Sequence, residues 1–186
     1  ARLLKVSGEL GKQLDSLADM ITFGLVPGLF ACHLIENSEL PQVLGDWISY
    51  SGLLITLFSA LRLAKFNIDE RQSDGFIGLN TPANTLFWVP LVIIQDEYQF
   101  IPTPYISLAL IVLFSYLLIS EIHLFSLKFK NLKFADNKLR FFFLGLSIII
   151  LVLVPILSGI LFLPLPIIVL LYLILSLANK SHEVQS

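Results

Sequence analysis

Gly11-Lys12-Gln13-Leu14-Asp15-Ser16-Leu17-Ala18-Asp19 leads without interruption into Met20-Ile21-Thr22-Phe23-Gly24-Leu25-Val26-Pro27-Gly28-Leu29-Phe30-Ala31-Cys32-His33-Leu34-Ile35. The second stretch has the length and apolarity of a membrane span, which needs about 20 residues. The first puts two carboxylates at its mouth. On a helix, Asp15 and Asp19 share one face, with Cβ atoms about 5–6 Å apart. Like charges there repel, and a carboxylate carried into a span costs about 2.5–3.5 kcal/mol. Two readings follow. The pair solvates a helix end at the membrane surface, where ionisable groups are cheap. Or it holds a divalent cation, and hard oxygen donors suit Mg2+ or Mn2+.

Working outward, the whole chain repeats the apolar character of that run. Of 186 residues 56% are hydrophobic and 14% charged, too apolar for an ordinary soluble domain and typical of a polytopic membrane protein. The fold class expected is all-α, a polytopic transmembrane helix bundle. Six stretches qualify as spans: Leu14–Ile35, Val43–Leu63, Thr81–Ile94, Ile101–Ser120, Phe141–Ile160 and Leu163–Leu177. Pro27 and Gly28 predict a kink or break in the first. One domain is expected over 1–180, with a cytoplasmic tail at 181–186. Cys32 is the lone cysteine, so no internal disulfide forms. No secretory signal peptide, repeat or soluble domain is visible, and no nucleic-acid partner is expected.

The loops orient the bundle. With the chain start on the cytoplasmic side, all twelve Lys and Arg residues fall on or beside the inner loops and none on the outer ones. The outer side carries Glu36, Glu39, Asp46, Asp96 and Glu97. This satisfies the positive-inside rule and places Asp15 and Asp19 at the cytoplasmic face. The expected location is a bacterial inner membrane. The stretch Lys128-Phe129-Lys130-Asn131-Leu132-Lys133-Phe134 fixes topology by its charge and suits an anionic lipid surface. Trp47, Tyr50, Trp88, Tyr98 and Tyr105 cluster near span ends and read as interfacial anchors. His33, His123 and His182 are not spaced as a metal set, and His33 falls at the outer end, away from Asp15.

Ala1-Arg2, eight residues, Gly11, three residues, Asp15, three residues, Asp19 gives A-R-x8-G-x3-D-x3-D. This resembles the downstream part of the signature of the CDP-alcohol phosphatidyltransferase family, D-x2-D-G-x2-A-R-x8-G-x3-D-x3-D. The upstream aspartates and first glycine of that signature are absent, because the chain begins at Ala1. The expectation is therefore a fragment, inactive alone, with one or two further spans before it. A second block, Arg62-Leu63-Ala64-Lys65-Phe66-Asn67, followed by Phe76-Ile77-Gly78-Leu79-Asn80-Thr81-Pro82-Ala83, resembles the branch of the family whose acceptor alcohol is L-serine.

The resemblance implies that phosphatidyl passes from CDP-diacylglycerol to the serine hydroxyl, with CMP leaving and two divalent ions, Mg2+ or Mn2+, held by aspartates. Asp15 is then a metal ligand, and Asp19 a ligand, the general base, or both in sequence. Gly11 and Ala1 leave room for the nucleotide. Arg2 neutralises the phosphate-rich mouth, although the positive-inside rule explains it equally well. Arg62 pairs with lipid phosphate or the serine carboxylate, or else snorkels as a topological charge. Lys65 and Asn67 are further substrate contacts. The lipid bilayer is the surrounding partner, and a homodimer is the assembly implied. Two alternatives remain. One is the same transfer to glycerol 3-phosphate or an inositol phosphate. The other is a transporter with the aspartates lining an ion path, although transporters carry ionisable groups nearer mid-membrane than this chain does.

Overall fold

The computed structural model describes residues 8–37, 47–69, 76–99 and 103–183, apart from 128, 130, 132 and 135. In chain order these form α1 (Glu9–Met20), a π-helical turn (Ile21–Leu25), α2 (Val26–Glu36), a 3-10 turn (Tyr50–Gly52), α3 (Leu53–Ile68), β1 (Phe76–Ile77), α4 (Thr81–Tyr98), α5 (Pro104–Ile119), β2 (His123–Leu124), α6 (Lys138–Ser158) and α7 (Pro164–Glu183). The protein is an all-α bundle, and each sequence-expected span corresponds to one helical rod. Leu10–Glu36, Trp47–Ile68 and Lys138–Ser158 are long and apolar enough to cross a membrane individually, while Pro104–Ile119 and Pro164–Asn179 are apolar but shorter. α4 has the length but carries Asn84, Thr85 and Gln95, and it is the element most enclosed by the others. β1 and β2 form a two-residue antiparallel clip, Phe76 opposite Leu124 and Ile77 opposite His123.

The first two rods approach closely because small residues face each other. A Cβ added to Gly28 would overlap Thr56 Oγ1, and one added to Gly52 would overlap the Cys32 backbone nitrogen. Gly24 meets Met20 and Ser59 in the same way. In lipid, where apolar burial does not drive helices together, such close backbone contact is what holds them. Thr56 Oγ1 donates to the Gly24 carbonyl at 3.1 Å across the seam. The expected break at Pro27 is a π turn immediately before it. Proline lacks the amide hydrogen that the Phe23 carbonyl would otherwise receive, and Thr85 Oγ1 of α4 approaches that carbonyl at 3.4 Å.

The core forms around α4. Phe87 stacks on Phe114 at 4.0 Å between ring centroids, and Trp88 meets both rings edge-on. Trp88 is fully buried, with Nε1 donating to Asn84 Oδ1 at 3.2 Å. It is therefore a core residue and not an interfacial anchor. Trp47, Tyr50, Tyr98 and Tyr105 are exposed, as anchoring requires. A second aromatic cluster joins Phe125, Phe143 and Tyr172. Outside this core the helices present Leu57, Val112, Ile148, Val152, Leu157 and Ile174 outward, the surface of a protein solvated by lipid.

Polar ties sort the bundle into two ends. At one, His33 lies 3.3 Å from Asp96, and Tyr98 donates to the Gly159 carbonyl at 3.0 Å. At the other, Lys12 reaches Asn67, Lys65 reaches Glu121, Arg140 donates to the Ser126 carbonyl, and Tyr172 donates to the Phe125 carbonyl. The cations gather at this second end. α4 runs to Tyr98 and α3 to Ile68, each past the expected span ends at Ile94 and Leu63. Buried Gln95 extends α4 by donating to the Leu34 carbonyl at 3.4 Å.

The glycine seam yields a stability prediction. Gly52→Ala forces a methyl against immobile backbone and should lower stability by about 1–3 kcal/mol, the usual cost of overpacking. Gly145→Ala, with nothing within 4 Å of its added Cβ, should not. Equal thermal midpoints for the two variants in detergent would refute the seam.

Candidate functional site

α1 presents three functional stripes. Gly11, Asp15 and Asp19 recur every fourth residue and form one. Lys12 and Ser16 form the next, facing α3. Leu10, Leu14, Leu17 and Ile21, all exposed, form the apolar third. The middle stripe is fastened: Lys12 Nζ donates to the Asn67 carbonyl at 3.3 Å, Asn67 Nδ2 donates to Ser16 Oγ at 2.9 Å, and Ser16 Oγ donates to the Lys12 carbonyl at 3.1 Å. α1 thus docks on the last turn of α3, which turns the aspartate stripe to the open side.

Asp15 is exposed and Asp19 half-buried. Among the described residues neither engages in a hydrogen bond or ion pair, so no described cation neutralises them. Two hard oxygen donors one turn apart fit a Mg2+ or Mn2+ ion. No group of three or more His, Cys, Asp and Glu residues gathers among the described residues, so a cation at this pair would need donors beyond these two carboxylates. Gly11 has nothing within 4 Å of an added Cβ. Packing therefore does not account for a glycine inside a helix, where it costs about 0.5–1 kcal/mol relative to alanine.

The last turns of α3 carry the second constellation. Arg62 is 6% exposed, with its guanidinium carbon 5.8 Å from the centre of the Phe66 ring, and Nε has no hydrogen-bond partner. It does not snorkel outward. It lines a cleft of about 300 Å3 with Lys65, Asp69, Ser120 and Glu121. Lys65 Nζ lies 3.8 Å from Glu121 Oε1. The far wall is held by the Phe76–Pro82 block. Gly78, at φ +74°, packs where an added Cβ would come within 2.9 Å of the Leu118 and Ser120 carbonyls. Its amide donates to Ile122 O, and that of Leu79 to Leu117 O, each at 2.8 Å. Asn80 then caps α4, accepting from the Ala83 amide at 2.7 Å, with Pro82 in the first turn. This block therefore builds the cleft wall.

Of the residues singled out in the sequence, Asp15, Asp19 and Gly11 share one stripe, Arg62 and Lys65 share one cleft, and Asn67 joins the two elements. Ala1 and Arg2 lie outside the described residues, as do Lys128 and Lys130 of the basic stretch. His33 is at the opposite end, bonded to Asn37 at 2.9 Å and near Asp96. Sequence reading missed Ser16 and Glu121. The Lys12/Ser16 spacing signalled a packed face, but nothing marked Glu121, a single acid after a span.

A family model described as CDP-alcohol phosphatidyltransferase matches residues 1–178. Relatives named CDP-diacylglycerol–serine O-phosphatidyltransferase are similar to this chain. That of Helicobacter pylori is 34% identical over 158 residues, covering 83% of this chain and 62% of the relative. That of Methanocaldococcus jannaschii is 34% identical over 122 residues, covering 66% and 53%. That of Bacillus subtilis is 34% identical over 82 residues, covering 44% of each. The chain thus spans less than two thirds of the length of these curated relatives.

The α1–α3 junction is testable by a double-mutant cycle on Ser16→Ala and Asn67→Ala. Each variant should destabilise the fold, and the pair should couple by about 0.5–1.5 kcal/mol, as one partly buried hydrogen bond does. Additive effects on unfolding in detergent would show that the two side chains do not meet.

Proposed function

The chain belongs to the CDP-alcohol phosphatidyltransferase family, and on that premise we propose that it transfers phosphatidyl from CDP-diacylglycerol to the hydroxyl of L-serine, releasing CMP. The observation that carries the proposal is the Asp15/Asp19 stripe, unpaired among the described residues, docked beside the Arg62 cleft at the cation-rich end of a membrane bundle. The choice of serine is supported by the names of relatives from three organisms.

In this reading Asp15 and Asp19 hold divalent metal, Mg2+ or Mn2+. A divalent ion held by these two carboxylates would supply charge neutralisation for the pyrophosphate and Lewis acidity at the phosphorus. Gly11 lets the nucleotide lie against the backbone of α1, and Ala1 has the same small profile. Arg62 and Lys65 hold anionic groups of the substrates, Asn67 keeps α1 in register with them, and Arg2 adds positive charge at the mouth. Serine Oγ bonds to the phosphorus next to diacylglycerol. The phosphorus–oxygen bond to CMP breaks, with the electron pair leaving on CMP. Asp19 takes the serine hydroxyl proton. The positive-inside distribution supports a site facing the cytoplasm, and we propose a bacterial inner membrane as its location. A homodimer is the assembly we propose.

The test is CMP release from CDP-diacylglycerol by the whole protein in detergent, with Mg2+ or Mn2+, offering serine, glycerol 3-phosphate and inositol phosphate separately. Release with serine alone is expected, and release only with another acceptor overturns the assignment. Asp19→Asn should lower kcat at least about a thousandfold, roughly 4 kcal/mol. Asp15→Asn should do likewise, with partial rescue by high Mn2+. Normal turnover in either variant would remove the aspartates from the site. Gly11→Ala separates function from folding. It should raise stability by about 0.5–1 kcal/mol while raising KM for CDP-diacylglycerol. An unchanged KM would return Gly11 to a neutral surface position.

A further inference from the structure

The segment between β2 and α6 holds the densest positive charge in the chain. Residues 126–140 carry five cations, Lys128, Lys130, Lys133, Lys138 and Arg140, against one acid, Asp136. Membrane sidedness asks only that such charge lie on one side; it requires neither an ordered loop nor exposed rings. The described residues of this loop show both. Phe134 is 66% exposed, and Phe129 and Leu127 are exposed as well. We propose that the loop is a docking site for anionic diacylphospholipids of the adjoining leaflet. Lys133 and Lys138 take the headgroup phosphate, and Phe129 and Phe134 enter the lipid at the level of the first acyl carbons.

The depth of the rings follows from α6. That helix is long and apolar enough to cross a membrane, and the rest of the bundle leaves it almost uncovered. Lys138 opens it, and Phe141 lies in its first turn. Phe134 stacks on Phe141 at 5.6 Å between ring centroids, and Phe129 leans on the same ring at 5.5 Å. Phe142, the next residue, is exposed. The apolar side chains of the loop therefore gather where a lipid-facing helix leaves the membrane. Aromatic rings anchor at that depth, and lysine stems carry their ammonium groups past them to the phosphates.

The loop is shaped by its own polar groups and not by its lysines. Asn137, 3% exposed, is the hub: its Nδ2 donates to the Asn131 and Lys133 carbonyls at 2.9 Å, and its Oδ1 accepts from Arg140 Nη1 at 2.7 Å. Arg140 Nε donates to the Ser126 carbonyl at 2.7 Å and closes the base of the loop. The acid is engaged too, since Asn131 Nδ2 donates to Asp136 Oδ2 at 3.0 Å. Lys133 and Lys138 are exposed, and among the described residues neither ammonium makes a hydrogen bond or ion pair. Arg140 is thus the structural cation, and the two lysines face outward with their charge unmatched. A loop ordered in advance loses less freedom when a ligand binds. A choline headgroup sets its own cation against these lysines, so net negative charge selects the lipid.

The test uses the whole protein in phosphatidylcholine nanodiscs, with Trp47→Phe removing the exposed native tryptophan and Phe134→Trp placing a reporter in the loop. Phosphatidylglycerol brominated near the carbonyl end of its chains should quench the reporter more than phosphatidylcholine brominated at the same carbons, at equal mole fraction. Adding Lys133→Gln/Lys138→Gln should cut that preference about thirtyfold, equivalent to about 1 kcal/mol per lysine at an anionic surface. Lys133→Arg/Lys138→Arg should keep it. High salt should erase the preference while both lipids still quench. Soluble glycerol 3-phosphate should leave the quenching unchanged. Equal quenching by the two lipids at low salt overturns the proposal and leaves the lysines as topology signals. No quenching by either lipid overturns it too, because the ring then stands off the membrane. Displacement by glycerol 3-phosphate makes the loop a site for small phosphates instead, and a preference that survives the double glutamine change removes Lys133 and Lys138 from the site. Should Phe134→Trp fail to accumulate, Leu127→Trp carries the reporter on the same loop. None of these readings depends on which alcohol accepts phosphatidyl.

Discussion

Pro27 cannot donate to the carbonyl of Phe23, and inside a bilayer no water is present to replace that bond. The helix answers with a π turn over Ile21–Leu25, and α4 brings Thr85 Oγ1 toward the freed oxygen. The neighbouring Gly24 carbonyl receives Thr56 from α3. Three helices are thereby tied to one irregular turn. These bonds form only if the backbones come close, which the side-chain-free edge at Gly24, Gly28 and Gly52 allows. The register of the first two rods follows from this seam.

That register carries through to chemistry. Once Gly24 sits on Ser59 and Gly28 on Thr56, the helical repeat brings Ser16 to Asn67 two turns further toward the charged end. The bond between them holds α1 with Lys12 and Ser16 inward and with Asp15 and Asp19 turned out, one stripe away. The same last turns of α3 bear Arg62 and Lys65. One helix pair, packed through small residues in the middle, therefore brings carboxylates and cations to one end without letting them neutralise each other. Direct pairing of Arg62 with Asp15 or Asp19 would remove the charge that each would contribute in the proposed transfer.

The sequence made much of this legible, for physical reasons that differ by feature. The succession of helical rods followed from the apolar runs, because lipid penalises charge regardless of detail. The aspartate stripe was visible because helical spacing of four is a local property. Other features depended on partners distant in the chain. Trp88 read as an interfacial anchor because its position near a span end says nothing of Phe114 and Asn84 closing over it. Arg62 had two readings, surface snorkel or buried cation, that only the packing of α3 against α5 separates. The length of α4 was underestimated at its outer end, since the Gln95 bond to Leu34 extends a helix that polarity alone would stop. Glu121 was invisible, being an acid whose meaning depends on a lysine 56 positions earlier, 3.8 Å away in the fold.

The distribution of buried polar groups separates an enzyme at a membrane face from a conduit through it. A path for ions needs ionisable or backbone ligands near the middle of the bundle. Here the buried polar side chains of α4 and α5 are Thr81, Asn84, Gln95, Ser107 and Ser115, all uncharged. Asn84 is taken up by Trp88, and Gln95 by the Leu34 carbonyl. The space between these helices is filled by stacked Phe87, Trp88 and Phe114. Charge instead accumulates where α1, α3 and the β clip meet, and the proposed transfer to a small polar acceptor draws on that end. A reaction joining a water-soluble molecule to a membrane-bound one has to occur at such a boundary. The dry aromatic core beneath it keeps α3 rigid enough to hold Arg62 out of water.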